Sequence, residues 1–261
     1  MRYSLEIEYI GQNYAGSQRQ PDGINTIQSE IEKAIRTLTK QDIKVIFSGR
    51  TDAGVNAFGQ TIHFETADTL VASRFTNSMN GLLPKDISVK NMKEVPNTFH
   101  AQMSAKWKWY QYRIVNRTQR SAFDERVLFV RHPLNLENII SALKLLEGEH
   151  DFSAFRSTGT QTPTNVCKIF YANARKCNDE IIIDIVGNRF LYNMIRTIVG
   201  TILMLEKNNS NPEKIKTILN SKDRKNAGPT AEGTALTLMQ VGYEEWSNNK
   251  QNKIINGDKR I

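Results

Sequence analysis

The sequence predicts an α+β fold built from two halves. Its first residues alternate between apolar and polar side chains, as in a half-buried strand, and apolar residues at helical spacing follow at once. The second half of the chain contains the same mixture of strand and helix patterns, although no residue-level repeat relates the halves. Such a mixture predicts sheets with helices packed on them.

Five elements are predicted in the first hundred residues. The segment Tyr3–Tyr9 alternates cleanly and predicts a strand with one buried face. Asn25 and Gln28 have the spacing of a capping box, which predicts that a helix begins there. The other predicted elements are strands over 43–47 and 60–66 and a helix over 72–80.

The second half begins with a predicted strand over 110–115. Asn135 is placed to cap a helix, and Gly148 is placed to stop it. The remaining predicted elements are a strand over 181–186, a long helix over 190–206, a short helix that starts at Asn211-Pro212 and a last strand over 236–243.

This order of elements predicts a domain boundary near residue 103. The N-terminal α+β domain then covers 1–103 and the C-terminal α+β domain covers 104–246. The remaining residues, 247–261, are rich in Asn and Lys and are expected to form a flexible tail.

The composition predicts a soluble protein that needs no metal. No stretch approaches 18 apolar residues, so no membrane span is predicted, and the N-terminus does not resemble a signal peptide. Cys167 and Cys177 are too few for a disulfide framework and are expected to be free thiols in the cytoplasm. The four histidines show no metal-ligand spacing, and no phosphate-loop pattern is present.

The charge suits a nucleic-acid partner. The formal net charge is +8, and the segments 95–123, 152–178 and 185–205 contain no acid. Positive surface made from these segments would follow phosphates, although each segment alone is also compatible with an ordinary solvated face.

One loop carries a candidate catalytic acid. Residues 48–57 read Ser-Gly-Arg-Thr-Asp-Ala-Gly-Val-Asn-Ala, and the glycines on both sides of Asp52 let other backbone approach closely. Arg50 and Asp52 are expected on the same side of an extended segment, where the cation would favour an ionised, nucleophilic carboxylate. The alternative is an Arg–Asp ion pair that only stabilises a turn.

Residues 106–113 interleave aromatic rings with cations. Rings can stack on unpaired bases while cations hold phosphates, so this strand is a candidate RNA-binding element. Because side chains alternate along a strand, at most half of the rings can face RNA, and core packing is the alternative for each. The predicted RNA-binding cations are Lys106, Lys108, Arg113 and, from a separate segment, Arg156.

The long helix near residue 200 carries an isolated arginine. Apolar side chains cover nearly every face of this helix. A narrow stripe of polar or small residues, Asn193, Arg196 and Gly200, runs along it. Unpaired burial of an arginine is costly, so Arg196 is expected to reach solvent or to pair with an acid such as Asp52. A purely structural role is the alternative.

Together these segments resemble the tRNA pseudouridine synthase A family. The run from Gly49 to Val55 matches the active-site signature of that family. Tyr110 lies in a matching Ser-Ala…Tyr-x-Tyr segment, and Arg196 ends a matching second-domain motif. Further matches at 151–156 and 222–231 extend the resemblance over nearly the whole chain.

The resemblance implies an isomerase that converts uridine to pseudouridine in the anticodon stem-loop, at tRNA positions 38, 39 and 40. Asp52 is then the catalytic residue, acting at C1′ or C6 or assisting departure of the base, while Tyr110, Arg50 and Arg196 bind the target nucleotide. The implied architecture is the pseudouridine synthase fold, in which two α+β halves with antiparallel mixed sheets join around a basic central cleft. The reaction needs no cofactor, and a homodimer acting on tRNA is implied.

Three positions depart from the family pattern. The family carries His where Asn56 stands, Arg where Gln102 stands and Pro where Glu232 stands. The changes at Asn56 and Gln102 are each expected to remove an RNA contact. Two other functions therefore stay open: a non-catalytic RNA-binding protein of the same fold, and a synthase with a different RNA target.

Overall fold

The computed structural model describes residues 1–21, 23–120, 122, 126–159, 162–247 and 249–251. The chain forms two compact units. Of the described residues, the first comprises those of Met1–Lys106 and Thr237–Glu244, and the second comprises those of Trp107–Leu236 and of the short segment from Glu245 to Gln251. Most of the predicted tail over 247–261 lies outside the described residues.

The described strands, in chain order, are β1 (Arg2–Tyr9), β2 (Ile46–Phe47), β3 (Asn56–Glu65), β4 (Ile87–Val95), β5 (Trp107–Asn116), β6 (Leu128–Val130), β7 (Gly148–Asp151), β8 (Val166–Cys177), β9 (Glu180–Gly187) and β10 (Leu236–Gly242). The helices are α1 (Ile27–Thr39), α2 (Ala72–Leu82), α3 (Leu136–Lys144), α4 (Met194–Lys207) and α5 (Lys214–Ser221). No helix in the described part of the chain is long and apolar enough to cross a bilayer.

In the first unit, β1 lies between β4 and β3 and pairs antiparallel with both. The other edge of β3 pairs with β2 in antiparallel and with β10 in parallel orientation. The sequence places β10 in the second domain, but the pairing of Thr237 with Asn56 brings this strand to the first unit.

The apolar alternation of β1 is confirmed. Tyr3, Leu5, Ile7 and Tyr9 are all buried, as a strand with one face on the core requires. The predicted strand over 43–47 is shorter, since only Ile46–Phe47 pairs with β3.

The start of α1 differs from the prediction by one residue. Thr26 is the N-cap, and its hydroxyl accepts from the amide of Ser29, whose side chain accepts in return from the amide of Thr26. The Asn25–Gln28 capping box is therefore wrong. The amide oxygen of Gln28 instead accepts from the backbone of Arg19 over 2.9 Å.

In the second unit the strands lie in the order β5, β9, β8, β7, all antiparallel to their neighbours, and β6 adds to β5 in parallel. Asn135 caps α3 as predicted, accepting from the amides of Glu137 and Asn138. Helix α4 begins at Met194, four residues later than predicted, because Asn193 adopts left-handed backbone with φ of +59°.

Cys167 and Cys177 are free thiols, as predicted. They stand near the two ends of β8. A strand rises about 3.3 Å per residue, so ten residues separate the thiols far beyond the reach of a disulfide.

The buried imidazole of His63 on β3 gives the first unit a testable pH dependence. Its Nδ1 accepts from the amide of Ala101 over 3.1 Å, which requires the neutral ring. Burial, followed by the positive charges of His100 and Arg2, lowers the pKa of His63 from 6.5 to about 4. The unfolded chain therefore takes up this proton first, and stability is complete above pH 6.5 and is lost as pH falls toward 4.

When the pH falls from 7.5 to 5, we expect the unfolding free energy of the wild type to decrease by about 2 kcal/mol more than that of His63→Gln. Urea denaturation at the two pH values measures this difference. Equal losses in the two proteins would show that His63 is not the titrating group.

Candidate active site

The signature segment forms a tight loop between β2 and β3 of the first unit. The amide of Val55 donates to the carbonyl oxygen of Asp52 over 3.1 Å, and Gly54 between them has φ of +78°. Glycine adopts such left-handed backbone without the steric cost that a side chain brings. The chain therefore turns sharply after Asp52, whose side chain is partly exposed.

A second loop, residues 11–17, lies directly against this Asp52 loop. A Cβ on Gly11 would stand 2.1 Å from the carbonyl oxygen of Val55, and one on Gly16 would stand 2.9 Å from that of Thr51. Gly16 also has φ of +111°. Glycine at both positions lets the two backbones approach this closely.

Hydrogen bonds fasten the two loops at Thr51, the residue before the acid. Its amide donates to Oγ of Ser17 over 2.8 Å, and its carbonyl oxygen accepts from the amide of Ser17 over 3.1 Å. Its hydroxyl lies 2.8 Å from the phenol oxygen of Tyr9. Burial raises the pKa of Tyr9 to about 12, so the phenol keeps its proton for this bond.

The side chain of Gln60 on β3 holds the beginning of the loop. Its Oε1 accepts from the hydroxyl of Ser48, and its Nε2 donates to the carbonyl oxygen of Gly49 over 2.9 Å. Ser48 and Gln60 are fully buried. The Asp52 loop is thus fixed from two directions, which orders a catalytic group before substrate binds.

Arg50 does not pair with Asp52 as the pattern predicts. Its side chain is exposed and makes no hydrogen bond or ion pair with any described residue. Residues two apart on an extended segment have Cα atoms about 6.6 Å apart, so facing the same side does not by itself bring their charges into contact. The guanidinium of Arg50 is accessible to a ligand.

Asn56 is a buried residue with a structural role at the start of β3. Its side chain is 5% exposed, and its Oδ1 accepts from the amide of Gly11 over 2.9 Å. Asn56 therefore anchors the loop over 11–17 to the start of β3. Gln102, the other departure, is exposed.

In the second unit, Tyr110 lies on β5 and is buried. Its ring meets that of Phe190 edge to face, with centroids 5.2 Å apart. Phe190 lies over Gly187 of β9, where a Cβ would stand 3.0 Å from its Cζ. The position of Phe190 therefore depends on glycine at 187.

Arg196 is held by two carbonyl-type acceptors on the second unit. Its Nε donates to the carbonyl oxygen of Ala231 and one terminal nitrogen donates to Oδ1 of Asn193, each over 2.7 Å. The amide nitrogen of Asn193 donates in turn to Oγ of Ser157 over 3.1 Å. Asn193 therefore both begins α4 and orients the guanidinium.

The four predicted RNA-binding cations have different surroundings. Lys106 is exposed and Lys108 is partly buried. Arg113 forms a bidentate ion pair with Glu180, at 2.9 and 3.1 Å. Arg156 donates to Oδ1 of Asn165 over 3.0 Å, while its buried Nε has no hydrogen-bond partner among the described residues. Their roles in RNA binding stay predictions.

The residues that support the Asp52 loop were missed by sequence reasoning. Tyr9, Ser17 and Gln60 come from three other segments, and no local pattern links them to residue 52. The available signal was Gly11 and Gly16, two glycines in one short loop after β1. Among the described residues, no group of three His, Cys, Asp or Glu side chains could hold a metal ion.

Comparison with known proteins gives one consistent result. A family model described as tRNA pseudouridine synthase matches residues 6–103 and 142–244. A protein named tRNA pseudouridine synthase A 2 from Clostridium tetani is 41% identical over 241 residues, covering 92% of this chain and 97% of the relative. A tRNA pseudouridine synthase A from Exiguobacterium is 41% identical over 94% of this chain and 98% of its own length. Another, from Anoxybacillus flavithermus, is 41% identical over 93% of this chain and 99% of its own length.

Proposed function

The chain belongs to the tRNA pseudouridine synthase family and is an isomerase that converts uridine to pseudouridine in tRNA, and we propose that its targets lie in the anticodon stem-loop, at tRNA positions 38, 39 and 40. The reaction breaks the bond between ribose C1′ and N1 of uracil and forms a bond between C1′ and C5. A proton leaves C5 and N1 gains one, so electrons balance without a redox partner.

The main support for the active-site proposal is the set of hydrogen bonds that holds the Asp52 loop in place. The neighbours of Asp52 are fixed by Ser17, Tyr9 and Gln60, while its own side chain remains partly exposed. An acid held in this way can meet a substrate at one defined position. Asp52 is the catalytic residue in this proposal and acts where the glycosidic bond moves.

The target base must leave the helical stack to reach such an acid, at a cost of a few kcal/mol. Arg50 is exposed and unpaired among the described residues, which supports a role in the space that the base vacates. Tyr110 and Arg196 are proposed to bind the target nucleotide, Tyr110 by packing on the flipped uracil. The resemblance further supports a homodimer that works in the cytoplasm.

Tritium release tests both the reaction and its position. In tRNA transcripts labelled at uracil C5, the label enters water when C5 becomes the glycosidic carbon. We expect release from transcripts with uridine at positions 38, 39 or 40, and no release from a matched transcript with cytidine at all three. Undiminished release from the cytidine transcript would assign a different target, and no release from any transcript that still binds would favour a non-catalytic RNA-binding protein.

A further inference from the structure

Two cations lie beside Tyr110 at one end of the second unit. Lys108 precedes Tyr110 by two residues on β5, so their side chains leave the same face of the strand. Lys108 pairs in register with Gly187 of β9, and Arg189 follows that glycine by two residues. Lys108 and Arg189 therefore lie near each other, close to the contact between Tyr110 and Phe190.

The segment that carries Arg189 is held firmly in place. The amide of Asn188 donates to the carbonyl oxygen of Lys168 over 3.0 Å, and its Oδ1 accepts from the amide of Lys168 over 2.9 Å. Arg189 itself donates to Oγ1 of Thr162 over 2.5 Å. Its guanidinium has five donors, and no carboxylate of the described residues pairs with it.

Lys108 has no partner at all in the described part of the chain. It is partly buried and makes no hydrogen bond or ion pair there. Burial, followed by the positive charge of Arg189, lowers its pKa from 10.5 to about 8. Both causes lower the pKa, and no acid is among them. An unpaired ammonium beside a second cation is unfavourable, and an anion bound between them would remove the cost.

We propose that Lys108 and Arg189 form a binding site for one RNA phosphodiester, the one that flanks the target uridine. This rests on the proposed function, because Tyr110 defines where the uridine lies. A lysine and an arginine on a fixed support provide several donors for phosphate oxygens. A phosphate held next to the Tyr110 ring would fix the backbone on one side of the flipped nucleotide.

The test is equilibrium binding of a tRNA transcript over a range of pH and salt. The wild type should bind about tenfold more weakly at pH 9 than at pH 7, since Lys108 must regain a proton to hold phosphate. Lys108→Arg keeps its charge at pH 9 and should lose less affinity, and any pH effect on the RNA itself appears equally in both proteins.

Salt dependence provides the second measurement. Lys108→Gln and Arg189→Gln should each reduce the slope of log K against log salt by about 0.7 to 0.9. Lys216→Gln is the matched control, because it removes the same charge from the exposed face of α5 and should keep the wild-type slope. Circular dichroism checks that every variant is folded.

Matching pH profiles for wild type and Lys108→Arg, or a wild-type salt slope in Lys108→Gln, would overturn the phosphate site. Tritium release by the same protein preparations is scored separately. A silent release assay with the expected binding pattern would reject the proposed function, and it would show that Lys108 and Arg189 bind an RNA phosphate but not that this phosphate flanks a target uridine.

Discussion

Asp52→Ala and Asp52→Asn should abolish tritium release while leaving the Kd for tRNA within about threefold of the wild type. Loss of the one catalytic carboxylate removes the chemical step, and a fall of more than about a thousandfold in kcat is expected for such a residue. Binding should persist because phosphate contacts supply most of the affinity for RNA. Single-turnover tritium release and filter binding on the same preparations measure the two quantities.

The structure argues that these variants will fold. The Asp52 loop is held through Thr51, Ser17 and Gln60, none of which is altered. Asp42→Asn is the matched control, since it removes an exposed acid from the same unit and should retain turnover. An equal loss of binding and turnover in Asp52→Ala would place Asp52 in RNA binding and leave the catalytic group unassigned.

Elements with a strong local pattern could be predicted from the sequence. Strand β1 alternates between apolar and polar residues, and β9 is almost continuously apolar. Asn135 caps α3, as its residue type suggests. The strand β8 was missed, although it is 12 residues long. Its Ala, Asn and Arg residues have little strand propensity. The strand forms because it pairs with β7 on one edge and with β9 on the other. β4 was missed in the same way, since its pairing partner β1 is far away in sequence.

The candidate site shows the same division between local and long-range information. The position of Asp52 on a loop between strands follows from the signature itself, whereas the contacts that hold this loop come from Tyr9, Ser17 and Gln60 in other segments. The role of Asn56 could not be read locally either, because its partner, Gly11, is 45 residues away. Residue types therefore indicate which side chains carry the chemistry, while the contacts that position them come from tertiary structure.

Gly11→Ala should damage catalysis without touching any chemical group. The new Cβ would stand 2.1 Å from the carbonyl oxygen of Val55, and backbone cannot yield as a flexible side chain does. Because the same glycine amide is held by Asn56, the loop over 11–17 must move or push the Asp52 loop. Overpacking of this kind costs about 1 to 3 kcal/mol, and a shift of about 1 Å at the acid can lower kcat a hundredfold.

Gly81→Ala makes the identical chemical change where there is room for it. Gly81 lies in α2 of the same unit, and a Cβ there has no neighbour within 4 Å. Alanine favours helix over glycine by up to about 1 kcal/mol, so this variant should be at least as stable as the wild type and fully active. Urea denaturation separates stability from kcat measured by tritium release. If Gly11→Ala loses only stability and turns over normally when folded, close contact between the two loops does not control the position of Asp52.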